Sequence, residues 1–194
     1  MNELLFLTQI LWIGFFTIAA SKAGKSALVA WIAILVFLAN FFVLKQVVLF
    51  GLEVTASDAL ALGSLLSLNL LQEKEGVGEA KRACWVSLAT RLFLAGVSQL
   101  HLALHHSLHD ASQTAFSPLL PPAPRLFFAS LASLFVTQQA DVFFFSKLKA
   151  KFPQAAFPVR ALFSLALSEI VDTVLFSFLG LYGIVHTLLE VILF

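Results

Sequence analysis

The chain has 194 residues and a formal net charge of +1, with 60% hydrophobic residues, only 12% charged ones and a mean hydropathy of +0.95. Soluble domains carry about 45–50% apolar and about 25% charged residues, so this surface could not be covered with polar groups in water, and a nucleic-acid footprint is missing from the charge. The single cysteine, Cys84, excludes a disulfide framework and a thiolate zinc site.

A membrane helix needs about 20 mostly apolar residues, within a range of about 17–25. Six segments meet or approach this length: Leu4–Ala20, Ala27–Leu44, Ala56–Gln72, Ala83–Leu104, Leu126–Phe145 and Ala161–Val185. The first begins Met1-Asn2-Glu3, without the basic start of a signal peptide, and reads as a retained helix. The third is the least apolar, with Gly63, Ser64, Ser67 and Asn69 in its middle, and is expected to be short or re-entrant and enclosed by the others. The fold class expected is therefore all-α, a polytopic integral membrane protein of six helices forming one domain over residues 1–194.

The separators read as loops. Ser21–Lys25 is a polar turn, Glu73–Glu79 is charged and glycine-rich, Leu119–Pro124 holds three prolines and starts the fifth helix, and Lys147–Pro158 is basic and bounded by proline. Lysine and arginine concentrate in the first, third and fifth of these connections, while the second has Lys45 and the fourth Arg125. The positive-inside rule places loops one, three and five in the cytoplasm and the N-terminus outside. The apolar tail His186–Phe194 stops without a polar end, which predicts either a further helix beginning there or a tail lying along the interface.

Ionisable and amide groups inside a span are costly and point to function. Candidates are Asn69, Gln72 and Glu73 at the end of span three, Arg91 and Gln99 in span four, Gln138, Gln139 and Asp141 in span five, and Glu169 and Asp172 in span six. Gln138-x-x-Asp141 and Glu169-x-x-Asp172 share one spacing, which puts both members on one helix face, and Ser164 and Ser168 extend the second stripe. Asp172 is expected to lie deep, with Arg91 as a candidate counter-ion, and Asp141 near Lys147 and Lys149. The same groups would also serve simply to bond helices together. His101, His105 and His109 recur every fourth residue and would share a helical face suited to a metal, or mark an exposed helix end, which is the plainer reading. No P-loop, GxGxxG or HExxH motif occurs, so no cofactor and no enzymatic chemistry is expected.

Three stretches together resemble the queuosine precursor transporter family, also called the vitamin uptake transporter family. They are Asn69-Leu70-Leu71-Gln72-Glu73-Lys74-Glu75-Gly76 with Ala80-Lys81-Arg82-Ala83, then Gln138–Lys149, then Ser168–Phe176. The resemblance spans roughly residues 60–185; Asn69 stands where the family has Asp, and Glu169 where it has Gln or Asn. It implies a helical fold similar to the substrate-binding subunits of energy-coupling-factor transporters, in a bacterial inner membrane. It also implies a small-molecule 7-deazaguanine substrate bound by Asn69, Gln72, Glu73, Arg91, Gln138, Asp141, Glu169 and Asp172. A carboxylate accepts from paired N–H groups of such a base, and an amide donates to its carbonyl. The competing readings are a binding subunit needing a separate energising partner, a histidine-based membrane metalloenzyme, and a structural subunit without ligand. A homo-oligomer is left open.

Overall fold

The structure, a computed structural model, describes residues 1–43, 45–105, 107 and 124–181. Its helices are α1 (Asn2–Ala23), α2 (Lys25–Phe42), α3 (Asp58–Glu75), α4 (Val77–Ala103), α5 (Pro124–Lys151) and α6 (Phe157–Phe176), the last running into a π turn at Ser177–Leu181. All but α3 are long and apolar enough to cross a membrane. Large apolar side chains such as Leu11, Trp12, Phe93 and Leu162 point outward, as a lipid solvent allows and water would penalise.

The apolar periods end before the helices do. Backbone hydrogen bonding carries α1 on to Ala23 and α3 on to Glu75, through residues the composition assigns to loops. What remains of the first and third connections is one residue each, Gly24 at φ 113° and Gly76 at φ 90°. A side chain at either φ would meet its own backbone, so glycine lets one helix stop and the next start within a single residue. Gly76 also donates its N–H to the Gln72 carbonyl at 3.0 Å, closing the last turn of α3. At the opposite end of α5, Pro124 opens the helix as the sequence predicts, and Pro158 sits in the first turn of α6.

A β-hairpin follows α2, with Gln46–Leu49 as β1 pairing antiparallel with Leu52–Thr55 as β2. In the sequence this stretch reads as a plain loop. Its signal is local: β-branched Val47, Val48, Val54 and Thr55 flank Phe50-Gly51, and both turn residues take positive φ, the requirement of a tight two-residue hairpin.

The third segment is the most enclosed, as expected of it: Leu60, Gly63, Ser64, Leu65, Ser67, Leu68, Asn69, Leu71 and Gln72 are all buried. Gly63 makes the close approach of α1 possible, since a Cβ there would stand 2.6 Å from Ile13 Cγ2. Ser67 spends its only proton on the Gly63 carbonyl at 2.7 Å, so at its 3.0 Å contact with Thr17 it accepts. Trp31 Nε1 donates to the Thr17 hydroxyl at 2.9 Å, completing a chain of donors from α2 through α1 to α3.

Several contacts sort the connections by end. Lys25 pairs with Glu79 at 3.0 Å, Lys74 donates to the carbonyl and hydroxyl of Ser21, and Glu73 meets Lys149 and Arg160. Connections one, three and five therefore gather at one end. The hairpin sits at the other, where Asn2 Nδ2 donates to the Val48 carbonyl and Glu3 Oε1 accepts from the Phe50 amide. Val185 and the tail His186–Phe194 lie outside the described residues.

Candidate functional site

The seam between α5 and α6 holds two aspartates in reciprocal cradles. Ser164 and Ser168 of α6 donate to Asp141 Oδ1 of α5 at 2.6 and 3.1 Å. In the opposite sense, Ser133 and Thr137 of α5 donate to Asp172 Oδ1 of α6 at 2.7 and 2.9 Å. The cause is a nine-residue repeat, Ser133-Leu-Phe-Val-Thr137-Gln138-Gln-Ala-Asp141 against Ser164-Leu-Ala-Leu-Ser168-Glu169-Ile-Val-Asp172. Steps of four residues keep each hydroxyl pair on the face of its own aspartate, and antiparallel packing sets each pair against the other helix's acid. The second stripe and the acid spacing are legible in the sequence, whereas Ser133 and Thr137 do not stand out there. The full nine-residue alignment was the available signal.

The two cradles differ in closure. Asp141 is completely buried, and Asn69 Nδ2 of α3 approaches Oδ1 as a third donor at 3.4 Å. All three donors converge on Oδ1, while Oδ2 is buried and unpartnered. Asn69 Oδ1 and both amide atoms of Gln138 share that condition, and both residues are fully buried. An unpaired buried polar atom costs about 1–3 kcal/mol, so this many on neighbouring helices marks a place where partners are to be supplied. The inventory is three acceptors and one amide donor group. It suits a compact polar molecule rich in N–H groups that also carries a carbonyl.

Asp172 is half-buried, and Asp141 is the more enclosed acid. Its expected lysine partners are also elsewhere. Lys149 lies 3.1 Å from Glu73 Oε2, off the hydrogen-bonding direction, and donates to the Glu73 carbonyl at 3.1 Å. Nor does Arg91 pair with Asp172. Its Nη1 donates to the carbonyl and hydroxyl of Ser130, at 3.2 and 3.1 Å, while its buried Nε is unpartnered. Glu169, the repeat's counterpart of Gln138, is half-buried and makes no hydrogen bond among the described residues.

The remaining candidates lie one turn away along α3. Gln72 gives both amide protons to α5, to the Val142 carbonyl at 3.0 Å and the Ser146 hydroxyl at 2.6 Å, leaving its Oε1 unpartnered. Glu73 is held by Arg160 Nη2 at 3.0 Å as well as by Lys149. Arg160 and Ser146 escape sequence analysis because they read as a loop cation and a spacer.

The histidine face does not form as a single helical stripe: α4 ends at Ala103, so exposed His105 lies beyond the helix that carries exposed His101. His109 is outside the described residues. Among the described residues no group of three His, Cys, Asp or Glu side chains stands ready for a metal ion.

No solved structure matches the chain. A curated relative from Bacillus subtilis (strain 168), named "Probable queuosine precursor transporter", is 34% identical over 163 residues, covering 82% of this chain and 71% of the relative. Residues 55–194, which include both cradles, match the family described as "Putative vitamin uptake transporter". With that match over most of its length, and with acids and amides buried in an apolar helical bundle, the chain belongs to the vitamin uptake transporter family.

Proposed function

We propose that this protein imports queuosine precursors, the 7-deazaguanine bases used in tRNA modification, across a bacterial inner membrane. The observation that carries the reading is the unpartnered set at Asp141 Oδ2, Asn69 Oδ1 and the Gln138 amide. A deazaguanine edge offers adjacent N–H donors beside a carbonyl. Asp141 Oδ2 accepts from the donors, Gln138 Nε2 donates to the carbonyl, and Asn69 Oδ1 takes a further N–H. In an apolar interior such pairs are strong and selective, because a ligand lacking one donor leaves a buried acceptor unpaired. Asp172, Glu169 and Arg91 form the second, more open tier of the same path, and Gln72 and Glu73 stand at its other end. The single domain spans the bilayer with connections one, three and five in the cytoplasm, where their lysines and arginines belong.

Uptake of labelled 7-deazaguanines by cells lacking their own importer tests this. Wild-type protein is expected to restore accumulation. Asp141→Asn, normalised to membrane protein level, is expected to lower it about tenfold to a hundredfold, since a hydrogen bond to a charged group contributes about 1.5–3 kcal/mol. Normal transport by Asp141→Asn would remove that acid from the site, and no uptake by wild type would overturn the substrate.

A further inference from the structure

The buried centre must open to one side to release what it holds, and the last turn of α3 stands across the way. Asn69 and Gln72 are three residues apart, one above the other on the same face and about 4.5 Å along the axis. Asn69 reaches Asp141, and Gln72 reaches Val142, the next residue of α5, and Ser146, a turn further along. Below Gln72 lies an open cleft of about 320 Å³ lined by Gln72, Gly76, Val77, Ser146, Lys149 and Ala150. That volume falls within the range of small-molecule sites, about 300–1,000 Å³. Gln72 is thus both the roof of the cleft and the floor beneath the Asn69–Asp141 pair. Its Oε1 is buried without a partner.

The neighbouring residue fastens the same turn. Glu73 binds Arg160, from the first turn of α6, and Lys149, from the last turns of α5. The Arg160 guanidinium lies over the Phe145 ring at 5.9 Å, and Phe145 packs edge-on against Phe157. Two consecutive residues of α3 therefore hold both partner helices, one by an amide and one by charge.

We propose that the cleft is the vestibule through which the transported molecule leaves for the cytoplasm, and that Gln72 and Glu73 form a double latch separating it from the Asn69–Asp141 centre. This rests on the proposed transport function and topology. Opening requires the Gln72 bridge to α5 to break. Glu73 resists that movement while Lys149 and Arg160 are engaged. Gln72 Oε1, on the boundary, is placed to take an N–H from the departing ligand. Gln72 then touches the ligand as it leaves, and Glu73 is the positioning residue of the release step.

Thiol accessibility reads the latch without reference to any substrate. Asn69→Cys in inside-out vesicles is expected to resist an impermeant maleimide. With Gln72→Ala and Glu73→Gln added, labelling is expected to rise at least tenfold while Ser133→Cys, in the other cradle, stays unlabelled in the same double variant. Equal labelling with and without the latch would overturn the proposal, and so would labelling of both positions alike. A second arm leaves the latch intact. Val77→Cys with Ala150→Cys, bridged across the cleft by a bifunctional thiosulfonate, is expected to lower uptake at least tenfold, with recovery on reduction. Full uptake by the quantitatively bridged protein would overturn the vestibule, whereas absence of uptake in the unbridged wild type would strike the substrate reading alone.

Discussion

Asp141 is held by one oxygen and offers the other. Ser164 Oγ lies 2.6 Å from Oδ1, and Ser168 divides its single proton between that oxygen and the Ser164 carbonyl, at 3.1 and 2.8 Å. The hydroxyls therefore fix which way the carboxylate faces, and an isolated charge at the centre of a span would otherwise cost about 2.5–3.5 kcal/mol. Ser164→Ala removes the shorter bond and lets the group rotate. The expected outcome is a loss of apparent affinity for the transported base of about tenfold, with the maximal rate and the protein level little changed. Ser164→Thr, which keeps the hydroxyl, should recover most of it. Concentration-dependent uptake by the two variants checks this, and a fall in rate at unchanged affinity would show that Ser164 acts elsewhere. Sequence reasoning reaches Asp141 and Asn69 because intramembrane acids and amides are rare. The lysine partner expected for Asp141 is not there, because nearness to Lys147 and Lys149 along the chain says nothing of where those side chains go; Lys149 goes to Glu73. Nor does sequence reasoning see which oxygen is used, which depends on contacts between residues more than twenty positions apart.

At the scale of elements, α3 shows how a helix too polar for lipid becomes a core. Its small residues let neighbours close in, and its hydroxyls and amides meet partners from α1 and α5. Gly63 is the tightest of these contacts, with Ile13 Cγ2 standing where a Cβ would go. Ile13 is β-branched and stiff in a helix, so it has little room to yield. Gly63→Val is expected to cost about 1–3 kcal/mol through overpacking and to lower the Tm of detergent-solubilised protein. Gly14→Ala, on α1 with open space around it, is expected to hold or slightly raise the Tm, since alanine suits a helix interior better than glycine. Equal Tm values for the two variants would refute the close approach. The five apolar spans and the enclosed character of α3 were legible in composition and length. The hairpin was not, because four-residue strands fall below any hydrophobic period, and helix ends were not, because hydrogen bonding continues into polar residues wherever the chain permits.

The molecule as a whole has two distinct ends. One gathers the ion pairs Lys25–Glu79 and Glu73–Arg160, and the other carries the hairpin with Phe50 exposed at its tip. With the basic end in the cytoplasm, Phe50→Cys in intact cells is expected to react readily with an impermeant thiol reagent, and Gly78→Cys only after the membrane is opened. The native Cys84 is fully buried and gives little background. Reaction at Gly78→Cys in sealed cells would invert the topology and turn the cleft outward.

The joint at Gly76 bears on how such a chain can diverge. One residue separates Glu75, the last of α3, from Val77, the first of α4, and successive residues of a helix are turned by about 100°. An insertion of one residue within the turns flanking that joint would rotate the rest of α4 by that angle. Ala80, Ala83 and Ser87 would leave the packed interior for lipid, and Arg91 would swing away from Ser130. Side chains along this stretch are free to be exchanged within their size and polarity, but the count of residues from Asn69 to Arg91 is not. Drift in length has to be accommodated elsewhere in the chain.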